Sequence, residues 1–249
     1  MRLLVTRPSP DDERTAAILR ALGHEVLIAP MLHMQARDCE FPVHRYAGVV
    51  MTSANAARAI AHHPGRRDLA GLPVFAVGHH TAQAALAAGF HEVHCANGNR
   101  GDLADMLRRL LDTLHGPLLY LAGEDRAGEI ELAPNGTKVV TAVVYRMVKV
   151  ARFPAEIEAA LRQRRIEGVL HFSRRSCQAY LECAKHSGLV SCALTPFHFC
   201  ISPQVAEPLV AQYRSAGKIA KELAAHSAGG IRIAPRPDEA SLIGIVEER

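Results

Sequence analysis

The sequence lacks long hydrophobic runs and a targeting segment. The longest apolar runs among its 249 residues have the length of a strand, so we expect no segment to span a bilayer. Residues 1–8 have neither the long apolar region nor the small-residue cleavage site of a signal peptide, and their composition is typical of a first strand. These absences predict a cytoplasmic protein with no membrane partner.

The cysteines form no C-x-x-C pair, which argues against a redox motif or a disulfide framework. The six cysteines lie mostly in apolar or helical contexts: Cys39, Cys95, Cys177, Cys183, Cys192 and Cys200. Free buried thiols are normal in such contexts, so we expect a reducing compartment.

The chain also has no large excess of charge of one sign. The net charge is +4 with a pI near 8.8, and cations and anions alternate along the chain. No basic tract carries interleaved aromatic residues, so nucleic acid is not an expected partner. A mild excess of cations suits a small polyanionic ligand.

Most catalytic signatures are missing. There is no G-x-G-x-x-G after the first strand, no Walker A loop and no G-x-S-x-G elbow. The histidines include the pairs His62-His63 and His79-His80, but there is no H-E-x-x-H and no metal site is expected. For His79 and His80, an exposed loop and the lining of a binding cleft are equally good interpretations.

Apolar strand-like runs alternate with helix-forming runs along the whole chain. This rhythm predicts an α/β fold with parallel sheets and helices on both faces. Strands are expected at 3–7, 25–29, 47–52, 74–77, 92–95, 118–122, 138–144, 168–172, 197–201 and 230–234. Helices are expected at 11–22, 55–62, 81–88, 102–114, 154–164, 176–186, 205–216 and 238–248.

Three pairs of segments repeat in the same order. Residues 48–59 (GVVMTSANAARA) resemble 168–179 (GVLHFSRRSCQA), 76–82 resemble 200–206, and 94–107 resemble 232–243. The first pair has the pattern of a buried strand followed by an N-capped helix. Ligands bind at the carboxyl ends of strands in open α/β sheets, so the repeated segments predict two similar domains that face one cleft.

Strand counting predicts how the domains divide. Residues 46–144 supply five strands, and residues 1–30 together with 154–249 supply five more. The segments 31–45 and 145–153 then become linkers between the domains. Both linkers have extended composition, which suggests an antiparallel two-stranded ladder.

Small hydroxyl and glycine residues gather at the expected strand ends. They are Thr52, Ser53, Gly78, Thr81, Gly123, Ser173, Ser176 and Ser202. They could simply cap helices, or the free N–H groups of those helix ends could hold carboxylates or phosphates. Arg126 follows an acidic helix turn and could belong to that turn or to a site. Tyr145 could be an amphipathic plug or a proton donor.

The chain resembles the uroporphyrinogen-III synthase family in several motifs. They are VTRP at 5–8, MTSANA at 51–56, VGHHTA at 77–82, YLAGEDR at 120–126, VY at 144–145 and FSRRS at 172–176. The resemblance implies two flavodoxin-like domains, one of them discontinuous, joined by a two-stranded linker ladder. It also implies a monomer that needs no cofactor.

The resemblance implies a lyase that cyclises hydroxymethylbilane to uroporphyrinogen III, with inversion of ring D and loss of water, in haem and other tetrapyrrole synthesis. Tyr145 then matches a tyrosine proposed to assist departure of the hydroxyl. The implied substrate-binding residues are Arg7, Thr52, Ser53, Asn55, Gly78, His79, His80, Thr81, Gly123, Arg126, Ser173, Arg174, Ser176 and Ser202. Val205-Ala206 replaces a common Thr-Ala pair, so Ser202 is expected to supply a hydroxyl there.

Two other functions compete with this interpretation. One is a non-catalytic two-domain clamshell that binds a small polyanion. The other is a glycosyltransferase-like enzyme, which should bring a nucleotide signature and a longer chain. A transient contact with the preceding enzyme of the pathway would accompany the synthase function.

Overall fold

The computed structural model describes residues 1–41, 45–110, 115–125, 138–215 and 230–248. Its strands are β1 Arg2–Val5, β2 Glu25–Ile28, β3 Leu32–Ala36, β4 Gly48–Met51, β5 Val74–Ala76, β6 Val93–Cys95, β7 Leu118–Gly123, β8 Val139–Lys149, β9 Gly168–His171, β10 Phe197–Cys200 and β11 Ile231–Ile233. Its helices are α1 Asp11–Ala21, α2 Ala54–Ile60, α3 Arg66–Leu69, α4 His79–Ala87, α5 Arg100–Leu110, α6 Ala155–Arg162, α7 Arg174–His186, α8 Val190–Ala193, α9 Pro203–Ser215 and α10 Glu239–Glu247. In these ranges, no helix is both long enough and apolar enough to cross a membrane.

Backbone contacts divide the chain into two compact units. The first unit contains Met1–His33 and Val148–Arg249, and the second unit contains Met34–Met147. Each unit has a sheet of its own with helices packed against it. The fold is therefore α/β, with parallel strands connected through helices.

The first unit has a five-stranded sheet in the order β11-β10-β9-β1-β2, and its strands are parallel. The central strands β1 and β9 are buried almost throughout; Leu3, Leu4 and Val5, for example, have no exposed surface. Continuous burial is typical of parallel strands covered on both faces. One face packs against α1 and α10 through the core cluster that contains Leu19 and Leu242.

The second unit has a six-stranded sheet in the order β3-β8-β7-β4-β5-β6. Five of these strands, β4 to β8, begin within the predicted domain 46–144, and the sixth, β3, lies in the expected linker 31–45 and joins the sheet at its edge beside β8. β8 is also longer than predicted and runs on to Lys149. The extension of β8 offers unpaired backbone groups, and β3 covers them.

Polar side chains cap several helices. The side chains of Ser53, Ser173 and Asp238 accept hydrogen bonds from backbone N–H groups at the starts of α2, α7 and α10. At the start of α5, the Asn99 side-chain oxygen accepts from the Asp102 N–H at 2.9 Å. Gly23, Gly89 and Gly188 follow helices and have the positive φ that favours glycine.

Candidate functional site

Two hydroxyl groups meet at the carboxyl ends of β4 and β7. The side-chain oxygens of Thr52 and Tyr120 are 2.9 Å apart. Tyr120 is almost fully buried within the apolar strand β7, so this hydrogen bond satisfies a phenol that would otherwise be desolvated without a partner. Thr52 was predicted at the site and Tyr120 was not, although a tyrosine inside an apolar run was the available signal.

Tyr145 lies beside the same strand ends. Its ring rests against Gly123, and its hydroxyl hydrogen-bonds the Ser53 side chain. Burial raises the pKa of the Tyr145 phenol, the hydrogen bond with Ser53 lowers it, and the charges of Tyr120 and Asp125 raise it further. The net rise keeps the phenol protonated at neutral pH, as a proton donor requires.

Asn55 joins this group from the first turn of α2. Its N–H donates to the Ser53 hydroxyl at 3.2 Å, and its carboxamide oxygen accepts from Arg58 at 2.8 Å. The carboxamide nitrogen lies 3.6 Å from the Met147 sulfur. The structure thus brings Thr52, Ser53, Asn55, Gly123 and Tyr145 into one connected group, the tyrosine site.

The predicted residues after β5 lie at the start of α4. Gly78 is extended at the N-cap position, and His79 and His80 are exposed. The His79 Nδ1 is 3.7 Å from the Cys95 sulfur. Thr81 is buried, which favours a packing role for its hydroxyl over direct contact with a ligand. Among the described residues, no group of histidine, cysteine and carboxylate side chains has the arrangement of a metal site.

In the first unit, the end of β9 leads into a capped helix. The Ser173 hydroxyl oxygen accepts from the Ser176 N–H at 3.1 Å and donates to the Ser176 hydroxyl at 2.9 Å. Ser176 has no exposed surface, so its hydroxyl supports the cap and is poorly placed for a ligand. Arg174 is exposed and pairs with Glu207 at 3.1 Å.

Arg7 is held by neighbours on several sides. Its guanidinium pairs with Glu239 at 2.8 Å and with Asp11 at 3.3 Å, and it lies 4.3 Å from the centroid of the Phe172 ring. Arg7 and Glu239 also both bond the Thr15 hydroxyl. A substrate carboxylate would have to compete with these two acidic partners, so the geometry favours a structural role for Arg7.

The remaining predicted residues are Ser202 and Arg126. Ser202 is half-buried directly before α9, and its carbonyl accepts from the N–H of Val205 at 3.2 Å. Ser202 therefore holds in the first unit the place that Gly78 holds in the second. Arg126 lies outside the described residues.

Sequence analysis missed a buried histidine pair in the first unit. The Nε2 atom of His171 and the Nδ1 atom of His198 are 3.0 Å apart, and neither ring has exposed surface. Burial lowers the pKa of His198 to about 3 and that of His171 well below its usual range. Both rings are therefore neutral at physiological pH, and Tyr180 packs edge-on against both.

Comparisons with known proteins agree on one family. The family model described as Uroporphyrinogen-III synthase HemD matches residues 13–223. The uroporphyrinogen-III synthase of Schizosaccharomyces pombe is 26% identical over 192 residues, which cover 70% of this chain and 76% of that protein. The crystal structure of uroporphyrinogen-III synthetase from Helicobacter pylori 26695 aligns with a TM-score of 0.61 at 16% identity, over 100% of this chain and 99% of its own, which shows likeness of fold. Because the family model spans most of the chain, the chain belongs to the uroporphyrinogen-III synthase family.

Proposed function

We propose that this protein cyclises hydroxymethylbilane to uroporphyrinogen III, with inversion of ring D and loss of water. Membership of the family carries the proposal. The tyrosine site supports it, because a protonated phenol beside a serine hydroxyl is a suitable donor to a departing hydroxyl group. The enzyme is a lyase of tetrapyrrole synthesis.

Catalysis of this reaction depends more on positioning the substrate than on strong acid–base chemistry. Hydroxymethylbilane closes without a catalyst, but it then gives the isomer in which ring D is not inverted. The enzyme must hold the chain folded so that the substituted carbon of ring D attacks through a spiro intermediate. Holding reacting atoms in such a geometry lowers the activation free energy by several kcal/mol.

Tyr145 donates a proton in the step that breaks the C–O bond. The hydroxymethyl oxygen leaves as water with the phenol proton, and the carbon that remains is attacked by the substituted carbon of ring D, which gives the spiro intermediate. The bond between that ring-D carbon and the bridge carbon to ring C then breaks. The freed bridge carbon bonds the unsubstituted carbon of ring D, whose hydrogen leaves as a proton and restores the phenol. The sum is loss of one water, with no oxidant or reductant.

The acetate and propionate groups of the substrate require several anion contacts. α7 has 13 residues and begins with Arg174 and Arg175 after the Ser173 cap, so the positive end of its helix dipole lies beside two cations. The start of α4 adds N–H groups after Gly78, where the exposed His79 and His80 lie. These contacts, and the further predicted ligands Arg126 and Ser202, complete our proposal for the binding residues.

We also infer the organisation of the chain from its two units. We assign a discontinuous domain to 1–30 and 154–249 and an inserted domain to 46–144, joined through 31–45 and 145–153. The boundaries between the two compact units, at 33/34 and 147/148, fall inside these two linkers and support the assignment. The order β2-β1-β9-β10-β11 supports a flavodoxin-like first domain. We expect a cytoplasmic monomer whose substrate arrives from the enzyme that makes hydroxymethylbilane.

An isomer assay tests the proposed function. Hydroxymethylbilane is generated in situ, the protein is added, and the oxidised products are separated into type I and type III isomers. We expect the type III isomer to dominate. A mixture that contains only the type I isomer would reject the enzyme and leave the clamshell binding protein, for which calorimetry with the bilane would still show binding.

Substitution of the tyrosine tests the proposed acid. Tyr145→Phe removes the hydroxyl and keeps the ring, and we expect kcat to fall by about 10²- to 10⁴-fold, the usual contribution of general acid catalysis. Tyr213→Phe is the matched control, because the Tyr213 hydroxyl donates to the Leu194 carbonyl at 2.7 Å in the core of the first unit. Wild-type kcat in Tyr145→Phe would remove Tyr145 from the mechanism.

A further inference from the structure

Tyr145 follows an irregularity in the second sheet. β7 and β8 pair in regular register as far as Ala122 opposite Val143, and the next pair is Gly123 opposite Tyr145. β8 therefore contributes one extra residue, Val144, at this point. Such a β-bulge changes the direction of the side chains that follow it.

The bulge puts two successive side chains of β8 on one side of the sheet. Val140, Ala142 and Val144 pack against the core cluster that lies under α2, as the alternation of a regular strand requires. Tyr145 packs against the same cluster although it directly follows Val144. In a strand without the extra residue, Tyr145 would point to the opposite face.

Gly123 supplies the space into which the redirected phenol fits. A Cβ atom at Gly123 would lie 2.6 Å from Cζ, 2.8 Å from Oη and 2.9 Å from Cε2 of Tyr145. Gly123 is absent from the glycines with positive φ, so its backbone conformation would accept other residues. Position 123 is therefore glycine because any side chain there would occupy the space of the Tyr145 ring.

Ser53 fixes the phenol from the other strand end. Its oxygen already accepts the Asn55 N–H, and its hydrogen bond with Tyr145 lowers the pKa of the phenol. The Ser53 hydroxyl therefore contacts both the first turn of α2 and the phenol of Tyr145.

We infer that Gly123 and Ser53 are positioning residues, which act with the β8 bulge to aim the Tyr145 hydroxyl at the substrate. The inference rests on the proposed role of Tyr145. Gly123 provides the space in which the ring lies, and Ser53 hydrogen-bonds its hydroxyl. The two residues therefore act on the phenol in different ways, which predicts different effects when each is replaced.

Titration of the phenol tests the inference without substrate. The chain has five tyrosines and no tryptophan, so the ultraviolet absorbance of phenolate can be followed, and subtraction of a Tyr145→Phe partner isolates Tyr145 in each background. Gly123→Ala should push the ring towards solvent and lower the pKa of Tyr145 towards the ordinary 10.0. Ser53→Ala should raise the pKa, because the hydrogen bond that lowers it is lost, and Ser53→Thr should restore the wild-type titration.

Kinetics give a second readout. Gly123→Ala should lower kcat by about 10²-fold, the usual effect of misplacing a catalytic group by about 1 Å, with little change in KM. In the Tyr145→Phe background the same substitution should cost no further activity, since there is no phenol hydroxyl left to misplace. Gly71→Ala is the control, because a Cβ at Gly71 meets no atom within 4 Å.

The outcomes separate this inference from the proposed function. Unchanged Tyr145 titration in both Gly123→Ala and Ser53→Ala would overturn the positioning role, whatever the activity of Tyr145→Phe. Wild-type activity of Tyr145→Phe would instead overturn the acid role. If Gly123→Ala does not fold, the comparison of Ser53→Ala with Ser53→Thr decides the inference alone, because Thr keeps both the hydroxyl and the helix cap.

Discussion

The two sheets share a spatial order of strands but not an order along the chain. In the first unit, β9, β10 and β11 hold the places that β4, β5 and β6 hold in the second, while β1 and β2 stand where β7 and β8 do. The register agrees as well, since Val169 pairs with His198 as Val49 pairs with Val74. The first unit is therefore a circular permutation of the arrangement in the second.

The shared positions serve the fold. Gly48 and Gly168 begin the equivalent strands β4 and β9, and each leaves room for a buried phenylalanine of the next strand, Phe75 or Phe199. The serines at the ends of β4 and β9 both cap helices. Repetition of these residues in both sheets indicates that packing and capping require them.

The positions that differ carry the unusual polar groups. The buried His171–His198 pair replaces Met51 and Val74 of the second unit. Conversely, β2 ends at Ile28, whereas its counterpart β8 continues through the bulge to Lys149 and so provides Tyr145. The comparison teaches that one scaffold holds a half-buried phenol in one unit and a neutral histidine pair in the other.

The largest expected effect on stability comes from the buried histidine pair at acid pH. The folded pKa of His198 is about 3, below the ordinary 6.5, so the unfolded state binds more protons between these values. Stability is complete above about pH 6.5 and falls as pH decreases, by about 1.4 kcal/mol per pH unit for each histidine. Hydrogen exchange should show β9 and β10 losing protection in acid before β4 and β5.

Exchanging the pair for its counterparts tests that explanation. His171→Met with His198→Val gives the first unit the residues of the second. On acidification to about pH 4, we expect this double variant to lose several kcal/mol less stability than the wild type. His91→Gln, at an exposed site, should leave the acid sensitivity as it is. Equal protection of β9 in the double variant and the wild type at acid pH would show that other groups cause the loss.

The equivalent glycines should give the next largest effect. A Cβ at Gly48 would lie 2.6 Å from Phe75 Cε2, and one at Gly168 would lie 2.7 Å from Phe199 Cε2. We expect Gly48→Ala and Gly168→Ala each to destabilise its own unit by about 1–3 kcal/mol, the usual cost of overpacking. Denaturant unfolding measures the loss, and adding Phe75→Leu or Phe199→Leu should recover part of it. A loss in only one unit would break the equivalence of the two strands.

The helix caps should give a smaller effect. Ser173→Ala removes the acceptor for the Ser176 N–H and leaves the buried Ser176 hydroxyl without its donor, so we expect a loss of about 1–2 kcal/mol. Ser53→Ala removes one cap bond to the short helix α2 and the hydrogen bond with Tyr145. It should cost less, because the Tyr145 phenol is only half-buried whereas Ser176 has no exposed surface. Ser173→Thr keeps the hydroxyl and serves as the control. Thermal unfolding that ranks the two alanine variants in the reverse order would contradict this account.

Sequence patterns predicted what is repeated better than what is particular to one unit. The strand–serine–helix pattern gave β4, β9 and their caps, because burial and capping leave local signals. The contact between Gly123 and Tyr145 depends on a register shift between two strands, and no local pattern encodes such a shift. Likewise, strand counting and extended composition predicted 31–45 as a linker strand, but the sequence did not show that β3 joins the second sheet beside β8. His171 and His198 each looked like one polar residue in an apolar run, since the sequence does not show that neighbouring strands bring them together.

The smallest expected change in stability, and a direct test of a binding residue, involves Arg174. It pairs with Glu207 at 3.1 Å, and both side chains are more than half exposed, so Arg174→Gln should change stability by less than about 1 kcal/mol. If Arg174 binds a substrate carboxylate, the same variant should raise KM for hydroxymethylbilane several-fold at low salt, and added salt should shrink the difference. Glu207→Gln is the matched variant, because it removes the competing carboxylate and should lower KM. The second unit has Ala54 in the place of Arg174. An unchanged KM in both variants would mean that Arg174 distinguishes the surfaces of the two units but does not bind the substrate.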